Sequence, residues 1–184
     1  MLITIEGIDG AGKTTVINNL QNITNCIYTR EPYRMLVHKT NYSPLAKVFL
    51  FMADHYDHIQ NVINPGMNES MDIICDRYID SRIAYGAVML QGLVEDPFNW
   101  IAKLHVCSPM PDLTILLTIP VEEAIKRRPN ESYEFLDKVQ QNYLKLVDYH
   151  RASNRFVVID GMQTIELICN IVMNKIKQRQ QVLA

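Results

Sequence analysis

The sequence predicts an α/β fold in which a five-stranded parallel sheet carries helices on both faces. Five short apolar runs alternate with stretches whose apolar residues recur at helical spacing, and polar clusters follow the first three runs. The runs cover residues 2–5, 26–29, 72–76, 113–119 and 156–160. Because the chain of 184 residues has no internal repeat and no linker, we expect a single domain, residues 1–184.

The segments between the runs predict the helices and turns of this fold. Apolar periodicity indicates helices at residues 14–21, 44–61, 81–90, 97–105, 121–128, 133–153 and 164–180. Proline and glycine predict turns at 64–66 and 109–111. In such a sheet, ligands bind outside the carboxyl ends of the strands, which is where the polar clusters fall.

The first polar cluster has the spacing of a phosphate-binding loop. Residues 1–15 read MLITIEGIDGAGKTT, so the glycine-rich turn follows an apolar strand and opens a helix. Backbone N–H groups of such a loop surround anionic oxygens, the lysine reaches the terminal phosphates, and the threonine hydroxyl binds magnesium. The predicted nucleotide-binding residues are Gly7, Asp9, Gly10, Ala11, Gly12, Lys13, Thr14 and Thr15.

Charged residues follow the second and third strands. Asp76 closes the apolar run DIICD, a position from which an acid approaches magnesium, usually through water, although a helix cap is equally compatible. Arg77 follows directly and can bind two phosphoryl oxygens. Arg30 and Arg34 add positive charge after the second strand. One phosphate loop serves one nucleotide, so the additional arginines indicate a second phosphorylated ligand.

Two helical segments carry further candidate residues. In VFLFMADHYDHI, Phe51 is placed to stack on a base and His55 or Asp54 to read its edge; no third cluster supports a metal site at these histidines. Lys126-Arg127-Arg128 ends a helix, where a basic run also compensates the helix dipole. The functional interpretation is a short lid near residues 126–134 that brings arginines to the transferring phosphoryl group and excludes water.

Composition narrows the possible partners and the compartment. A net charge of −2 does not favour binding to a nucleic acid polymer. The four cysteines form no CxxC pair, which argues against a zinc site or a redox motif. Without a signal sequence or an apolar stretch approaching 18 residues, the expectation is a cytoplasmic protein with no membrane association.

Taken together, the motifs resemble the thymidylate kinase family over nearly the whole chain. The shared segments are IEGIDGAGKTT, TREP at 29–32, LFxAD at 50–54, DRYIDSRIAYG at 76–86, PDLTILL at 111–117 and ESYE at 131–134. The resemblance implies the three-layer P-loop NTPase fold, a homodimer, and transfer of the γ-phosphoryl group from ATP–Mg²⁺ to a deoxyribonucleoside monophosphate. The expected acceptor is dTMP, with dUMP or a modified pyrimidine left open.

The resemblance also assigns roles to individual residues. Asp9 is expected at the sugar 3′-hydroxyl and the magnesium region, Arg34 at the acceptor phosphate, and Arg77 between the acceptor and donor phosphates. Phe51 is expected to stack on thymine, and Tyr85 to occupy the place of a ribose 2′-hydroxyl. The expected catalytic residues are Lys13, Arg77, Arg127, Arg128 and Asp9, the metal-binding residues are Thr14, Asp9 and Asp76, and the substrate-binding residues also include Ser81 and Glu134.

Three departures from the family pattern bear on specificity and catalysis. His55 stands where the family usually has an arginine that contacts the pyrimidine carbonyl, and Arg82 stands where a small or amide residue is common. We hypothesise that Arg82 supplies the base contact or that the pocket has moved toward another base. The lid is short and has Ser132 where an arginine is common, so catalysis is expected to depend on Arg127 and Arg128.

Three alternative functions compete with this interpretation. A deoxynucleoside kinase phosphorylates a neutral hydroxyl and needs a general base, for which Glu31 is the candidate; the surplus of arginines favours a phosphorylated acceptor instead. A regulatory GTPase would carry an NKxD-type motif, which the sequence lacks. A catalytically silent nucleotide-binding dimer is disfavoured by the intact Lys13-Thr14-Thr15 and Asp76-Arg77.

Overall fold

A computed structural model describes residues 1–34 and 41–183 and contains a five-stranded, all-parallel sheet. The strands are β1 Leu2–Glu6, β2 Ile27–Arg30, β3 Ile73–Asp76, β4 Leu113–Thr118 and β5 Phe156–Asp160, in the spatial order β2-β3-β1-β4-β5. Every residue of the central strand β1 is buried, as expected for a strand covered on both faces. The predicted fold class is confirmed, and each strand begins and ends within one residue of its prediction.

Helices connect the strands and pack in two groups. They are α1 Lys13–Gln21, α2 Pro44–His58, α3 Asn64–Asn68, α4 Ile79–Met89, α5 Pro97–Leu104, α6 Val121–Arg127, α7 Tyr133–Tyr149 and α8 Ile165–Leu183. Helix α1 packs against α8, while α4 packs against α2, α5 and α7. Within the described residues, no helix is both long enough and apolar enough to cross a membrane.

Short polar residues and prolines determine where several helices begin. The Ser43 hydroxyl accepts a hydrogen bond from the Ala46 N–H at the start of α2, and Asp96 accepts one from the Asn99 N–H at the start of α5. Proline follows each cap, in the first turn where its missing N–H has no intrahelical partner to lose. Ser132 caps α7 in the same way, through the Phe135 N–H.

The turn predicted at residues 64–66 is wrong, because this segment belongs to α3. Helix α2 ends at His58, a π-helical turn spans Ile59–Ile63, and α3 continues directly from it. Pro65 lies in the first turn of α3, where proline is tolerated. A Cβ atom on Gly66 would lie 2.8 Å from Ile27 Cδ1 and 2.9 Å from Ile73 Cδ1, so this glycine permits close packing against β2 and β3.

The parallel register brings the carboxyl ends of the strands to one edge of the sheet. Ile5 of β1 pairs with Asp76 of β3, and Arg30 of β2 pairs with the same Asp76. The loop after β1, the residues after β2 and the residues after β3 therefore meet at this edge. It is the edge at which ligands bind in open α/β sheets.

Candidate active site

The glycine loop between β1 and α1 is shaped by two close contacts that exclude side chains. Gly7 has φ 142°, and a Cβ atom there would lie 2.4 Å from the Leu117 carbonyl oxygen. Gly10 has φ 85°, and its Cβ would approach the Ala124 carbonyl oxygen of α6 to 3.0 Å. The loop therefore follows β4 and α6 closely and leads through Gly12 into the N-terminus of α1, a favourable position for an anion.

Lys13 is held across this loop by backbone carbonyl groups. Its Nζ donates hydrogen bonds of 2.9 Å to Gly7 O and of 2.9 Å to Ile8 O, and 6% of the residue is exposed. Burial, with repulsion from the Arg77 guanidinium, lowers the pKa of Lys13 to about 7. A bound phosphate would supply the negative charge that stabilises the ammonium form of Lys13.

Thr14 and Asp76 together offer oxygen ligands of the kind that Mg²⁺ prefers. The Thr14 hydroxyl donates a hydrogen bond of 3.5 Å to Asp76 Oδ2. The buried Oδ1 atom of Asp76 has no hydrogen-bond partner among the residues that the structure describes. A hydroxyl and a carboxylate fit Mg²⁺, which is usually bound by one or two protein groups plus phosphate and water. The described residues contain no group of three His, Cys, Asp or Glu side chains arranged to hold a metal ion.

Two adjoining cavities lie at this edge of the sheet. The polar cleft has a volume of about 510 Å³ and follows the glycine loop from Asp9 to Thr15, with Asp76, Arg127 and Arg128 on its other sides. The apolar cavity has a volume of about 300 Å³ and lies between β2, α2, α4 and α5, with Phe51 and Ser81 in its wall. Both cavities are lined by Asp9, Arg30, Glu31 and Arg77, so their contents would meet at these residues.

The four residues that line both cavities form a shared wall, and the hydroxyl of Tyr85, which lines the apolar cavity, contacts two of them, Asp9 and Arg77. It accepts hydrogen bonds from the Asp9 N–H at 2.9 Å and from Arg77 Nη2 at 3.2 Å, and it donates one of 3.0 Å to Asp9 Oδ2. Although burial raises the pKa of Asp9, the Arg77 guanidinium and the Lys13 ammonium bring it below its ordinary value. Asp9, Arg77 and Tyr85 thus form one hydrogen-bonded unit between the cavities.

Arg82 and Phe51 form the polar end of the apolar cavity. The Arg82 guanidinium carbon lies 4.6 Å from the centroid of the Phe51 ring, within range of a cation–π interaction. Arg82 Nε donates a hydrogen bond of 2.9 Å to Glu31 Oε2. Arg82 Nη2 forms ion pairs with Glu31 Oε2 at 2.9 Å and Asp54 Oδ2 at 3.8 Å, but this buried atom makes no hydrogen bond in the described part of the chain.

His55 lies away from both cavities, unlike the sequence-based expectation. It is buried with 0% exposure, and it contacts Glu31 Oε1 through Nδ1 at 2.7 Å and Ser108 Oγ through Nε2 at 2.9 Å. His58 Nδ1 lies 2.9 Å from the same Glu31 oxygen. The physical reason is that the buried Glu31 carboxylate requires compensating partners, and His55, His58 and Arg82 provide them. His55 therefore supports the cavity wall from behind.

Arg30, rather than Arg34, lines the cavities after β2. Arg34 Nε donates a hydrogen bond of 2.7 Å to Asp57 Oδ2, its side chain is 51% exposed, and it does not line either cavity. Arg30 lines both cavities, and its side chain has no hydrogen bond or ion pair within residues 1–34 and 41–183. The pairing of Arg34 with Asp57, 23 positions later, has no local sequence signal. In the sequence, the position of Arg30 at the end of β2 is the feature that indicates a residue of the site.

The basic end of α6 reaches the polar cleft. Arg127 Nη1 donates a hydrogen bond of 2.9 Å to Gly10 O, so the proposed lid segment already touches the glycine loop. Arg127 and Arg128 both line the polar cleft and are exposed. Glu134, in the first turn of α7, is exposed and lies outside both cavities.

Comparison with known proteins identifies the family. The family model "Thymidylate kinase" matches residues 5–172. The chain belongs to the thymidylate kinase family. It is 38% identical to "Probable thymidylate kinase" of Methanoculleus marisnigri over 96% of this chain and 94% of the relative. It is 40% identical to the protein of the same name from Methanocorpusculum labreanum over 96% of this chain and 98% of that relative.

Membership of the thymidylate kinase family establishes the class of reaction and the fold. The chain is a nucleoside monophosphate kinase with the P-loop NTPase fold, and ATP is the phosphate donor in this family. A third relative, "Probable thymidylate kinase" of Halorubrum lacusprofundi, is 38% identical over 91% of this chain and 93% of its own length. The resemblance predicted from the sequence motifs is therefore confirmed.

Proposed function

We propose that this thymidylate kinase family member transfers the γ-phosphoryl group of ATP to dTMP, giving the nucleoside diphosphate. The observation that carries the proposal is the shared wall between the polar cleft and the apolar cavity. Asp9, Arg30, Glu31 and Arg77 line both cavities, so a phosphate at the end of each ligand would come near the same two guanidinium groups, those of Arg30 and Arg77. This arrangement suits the transfer of a phosphoryl group between two nucleotides.

In this proposal the polar cleft binds ATP. Loop residues 7–15 surround the phosphates with backbone N–H groups, and Lys13 exchanges the Gly7 and Ile8 carbonyl groups for phosphate oxygens. Thr14 and Asp76 are the residues that would hold Mg²⁺, which neutralises phosphate charge when bound. Asp9, which the sequence also suggested for the metal, contributes through its contact with Arg77.

The acceptor phosphate is assigned to Arg30 and Arg77, and the sugar to Asp9 and Tyr85. Arg30 is the cation in the shared wall without a protein partner among the described residues. Arg34, as placed, contacts Asp57 instead. The ring of Tyr85 occupies the space beside Asp9 in which a ribose 2′-hydroxyl would need room, which favours deoxyribonucleotides.

The base is assigned to the wall formed by Phe51 and Arg82. A pyrimidine stacks on the Phe51 side of the cavity, while the Arg82 guanidinium donates to a carbonyl oxygen of the base. A donor at this place accepts thymine or uracil and rejects cytosine, which presents an amino group there. Arg82 thereby takes the role of the arginine that this chain replaces with His55.

Catalysis by these residues requires no covalent intermediate. The acceptor phosphate is already anionic, so positioning and charge neutralisation account for most of the rate. Lys13, Arg77 and a lid arginine, Arg127 or Arg128, surround the transferring group. The lid, near residues 126–134 of a single domain spanning 1–184, closes over the phosphates and excludes water.

The environment of Glu31 disfavours the alternative, a deoxynucleoside kinase. Although burial raises the pKa of Glu31, the Arg82 guanidinium and the hydrogen bonds from His55 and His58 bring it well below its ordinary value. A carboxylate stabilised in this way is a weak base for a neutral 5′-hydroxyl. The arginines in the shared wall instead suit an acceptor that already carries a phosphate.

The remaining sequence-based expectations concern assembly and location. A homodimer, a cytoplasmic location, and the lack of a membrane or nucleic acid polymer as partner stay predictions. Light scattering of the purified protein measures the dimer directly.

A panel of acceptors tests the proposed function. The purified protein is incubated with MgATP and dTMP, dUMP, dCMP, dGMP, dAMP, UMP or thymidine, and both ADP release and the mass of the product are measured. We expect efficient turnover of dTMP, weaker turnover of UMP, and little reaction with dCMP. Preference for another monophosphate would overturn the assignment of the base, while exclusive reaction with thymidine would overturn that of the acceptor phosphate.

A further inference from the structure

Glu6 is a buried carboxylate outside both cavities that contacts the elements around Arg77. It is the last residue of β1 and has 0% exposure. Its Oε1 accepts a hydrogen bond of 2.8 Å from the Tyr78 N–H. Its Oε2 accepts hydrogen bonds of 2.5 Å from Ser81 Oγ and of 3.0 Å from the Tyr143 hydroxyl. Burial of a carboxylate destabilises the folded protein unless hydrogen bonds or charges compensate it, so the presence of Glu6 in the interior calls for a physical explanation.

The backbone of Arg77 is held in an unusual conformation by contacts on both sides. Arg77 has φ 67°, in the left-handed region that non-glycine residues seldom adopt. Its own N–H donates a hydrogen bond of 3.1 Å to Ile5 O, and the next N–H in the chain, that of Tyr78, donates to Glu6. Such a conformation persists where the surroundings fix it. The Asp76 carbonyl accepts from the Glu31 N–H at 2.9 Å, and the Arg77 carbonyl accepts from Cys75 Sγ at 3.0 Å. Glu6 is thus one of the groups that hold the peptide units flanking Arg77, and the one that binds the Tyr78 N–H.

The side chain of Arg77 is connected to the same carboxylate. Arg77 Nη1 donates a hydrogen bond of 3.1 Å to Ser81 Oγ, and the Ser81 hydroxyl uses its only hydrogen for Glu6. Because that hydrogen points toward Glu6, a lone pair of the oxygen remains available for Arg77. The other terminal nitrogen, Nη2, reaches Asp9 in the shared wall.

We propose that Glu6 is a positioning residue for phosphoryl transfer, which fixes Arg77 through the Tyr78 N–H and the Ser81 hydroxyl. Glu6 acts through Arg77 and touches neither nucleotide. The inference rests on the proposed function, which gives Arg77 its place between the two phosphates. Burial and repulsion from Asp80 raise the pKa of Glu6 to about 7, which shows that the charged form is destabilised in the interior. Hydrogen bonds from the Tyr78 N–H and from the Ser81 and Tyr143 hydroxyl groups partly offset this destabilisation.

A double-mutant cycle separates this role from a merely structural one. Glu6→Gln keeps the shape of the side chain but replaces one oxygen by an amide NH₂. We expect kcat to fall on the order of tenfold or more, because small displacements of a catalytic group are costly, with the KM for ATP changed less than about twofold. In an Arg77→Ala background, Glu6→Gln should then lower kcat by less than about twofold. Equal losses in the two backgrounds, or an unchanged kcat in the single variant, would overturn the inference.

Two neighbouring hydroxyl groups provide the control and the second variant. Tyr143→Phe removes one hydrogen bond to Glu6 and a contact of 2.7 Å with Ser81 Oγ, but it leaves the Glu6–Ser81–Arg77 connection, so its kcat should stay near that of the wild type. Ser81→Ala breaks the connection while leaving Glu6 with Tyr78 and Tyr143, and its kcat should fall like that of Glu6→Gln. If Glu6→Gln does not fold, as judged by circular dichroism, Ser81→Ala enters the cycle in its place.

Crystal structures of the variants provide a readout that does not depend on activity. In Glu6→Gln, or in Ser81→Ala if it replaces that variant, the Arg77 guanidinium is expected to leave its position against Asp9. A guanidinium in the wild-type position would contradict the inference. Failure of the proposed function is visible separately, as the absence of turnover by the wild-type protein with every monophosphate of the panel.

Discussion

Arg77 Nη2 donates a hydrogen bond of 2.7 Å to Asp9 Oδ1, which ties the residue after β3 to the glycine loop after β1. The Asp9 side chain is 39% exposed and that of Arg77 is 17% exposed, so the pair is open to the cavities that share it. In the proposed reaction this contact orients the Arg77 guanidinium, while Asp9 also binds the sugar of the acceptor nucleotide. The pair therefore connects recognition of the acceptor with the transfer step.

Removal of the Asp9 charge tests this connection. Asp9→Asn keeps the size of the side chain but removes the charge that holds Arg77, so kcat/KM for dTMP should fall about 100-fold. Steady-state kinetics at saturating MgATP measures the effect. The matched control is Asp137→Asn, which neutralises a half-buried carboxylate of α7 that accepts a hydrogen bond from Gln141 and lies outside both cavities. An unchanged kcat/KM in Asp9→Asn would show that Arg77 is oriented without it.

Tyr85 should set the preference for deoxyribose. Tyr85→Ala opens space beside Asp9, so the ratio of kcat/KM for UMP to that for dUMP should rise on the order of tenfold even though both values fall. The two nucleotides differ only at the 2′-position, which makes their ratio independent of the base. Tyr149→Ala, at an exposed position at the end of α7, serves as the control. A constant ratio in Tyr85→Ala would contradict the assignment.

Lys13 should make the stability of the nucleotide-free protein depend on pH. Burial and Arg77 lower its pKa from 10.5 to about 7, so between these pH values the unfolded chain binds more protons than the folded chain. Stability arising from this group therefore increases as pH rises through that window.

The variant Lys13→Met isolates this contribution. It removes the buried ammonium, so the free energy of unfolding of the variant relative to the wild type should fall by up to about 3 kcal/mol between pH 6 and pH 9. Urea unfolding at a series of pH values measures the difference. Lys177→Met, at an exposed site on α8, should show no such trend. A pH-independent difference for Lys13→Met would mean that the folded and unfolded pKa values are similar.

Arg82 should determine which base is accepted. Arg82→Ala removes the donor aimed at the base carbonyl, so the preference for dTMP over dCMP should fall about tenfold or more. Arg82→Lys keeps a positive charge beside Glu31 but loses the planar group that lies over Phe51, and it controls for loss of the ion pair. Activity of Arg82→Ala that is unchanged on every monophosphate would refute the base assignment.

The sequence predicts the fold and the glycine loop because their signals are local. Apolar runs, helical periodicity and the spacing from Gly7 to Thr14 lie within short windows, and the structure places them at the expected edge of the sheet. The positions of His55 and Arg34 depend on partners more than 20 residues away, Glu31 and Asp57, whose burial and orientation no local pattern encodes.

Glu6 is a residue whose role the sequence does not indicate, again because its partners are distant in the chain. At the end of an apolar strand it looks like a residue at the sheet edge, and its partners Tyr78 and Ser81 lie 72 and 75 residues later in the chain. The motif DRYIDSRIAYG is visible in the sequence, but its hydrogen bonds to the end of β1 depend on the three-dimensional fold.

The basic end of α6 should act on the transfer step rather than on ATP binding. Arg127 and Arg128 line the polar cleft, and Arg127 Nη1 contacts Gly10 O at 2.9 Å. If these arginines neutralise charge that develops on the transferring group, Arg127→Ala or Arg128→Ala should lower kcat on the order of 10²-fold or more and should raise the Kd for ATP by a much smaller factor.

The neighbouring Lys126 provides the matched control. It belongs to the same helix end but is 69% exposed and pairs with Glu123, so Lys126→Ala should keep kcat near the wild-type value. Single-turnover kinetics measures the transfer step, and calorimetric titration with a non-hydrolysable ATP analogue measures affinity. If the arginines belong to a lid, their variants should lose much of the transfer rate but little of the affinity for ATP. Equal turnover in all three variants would refute the lid assignment, and a loss confined to affinity would assign the arginines to ATP binding.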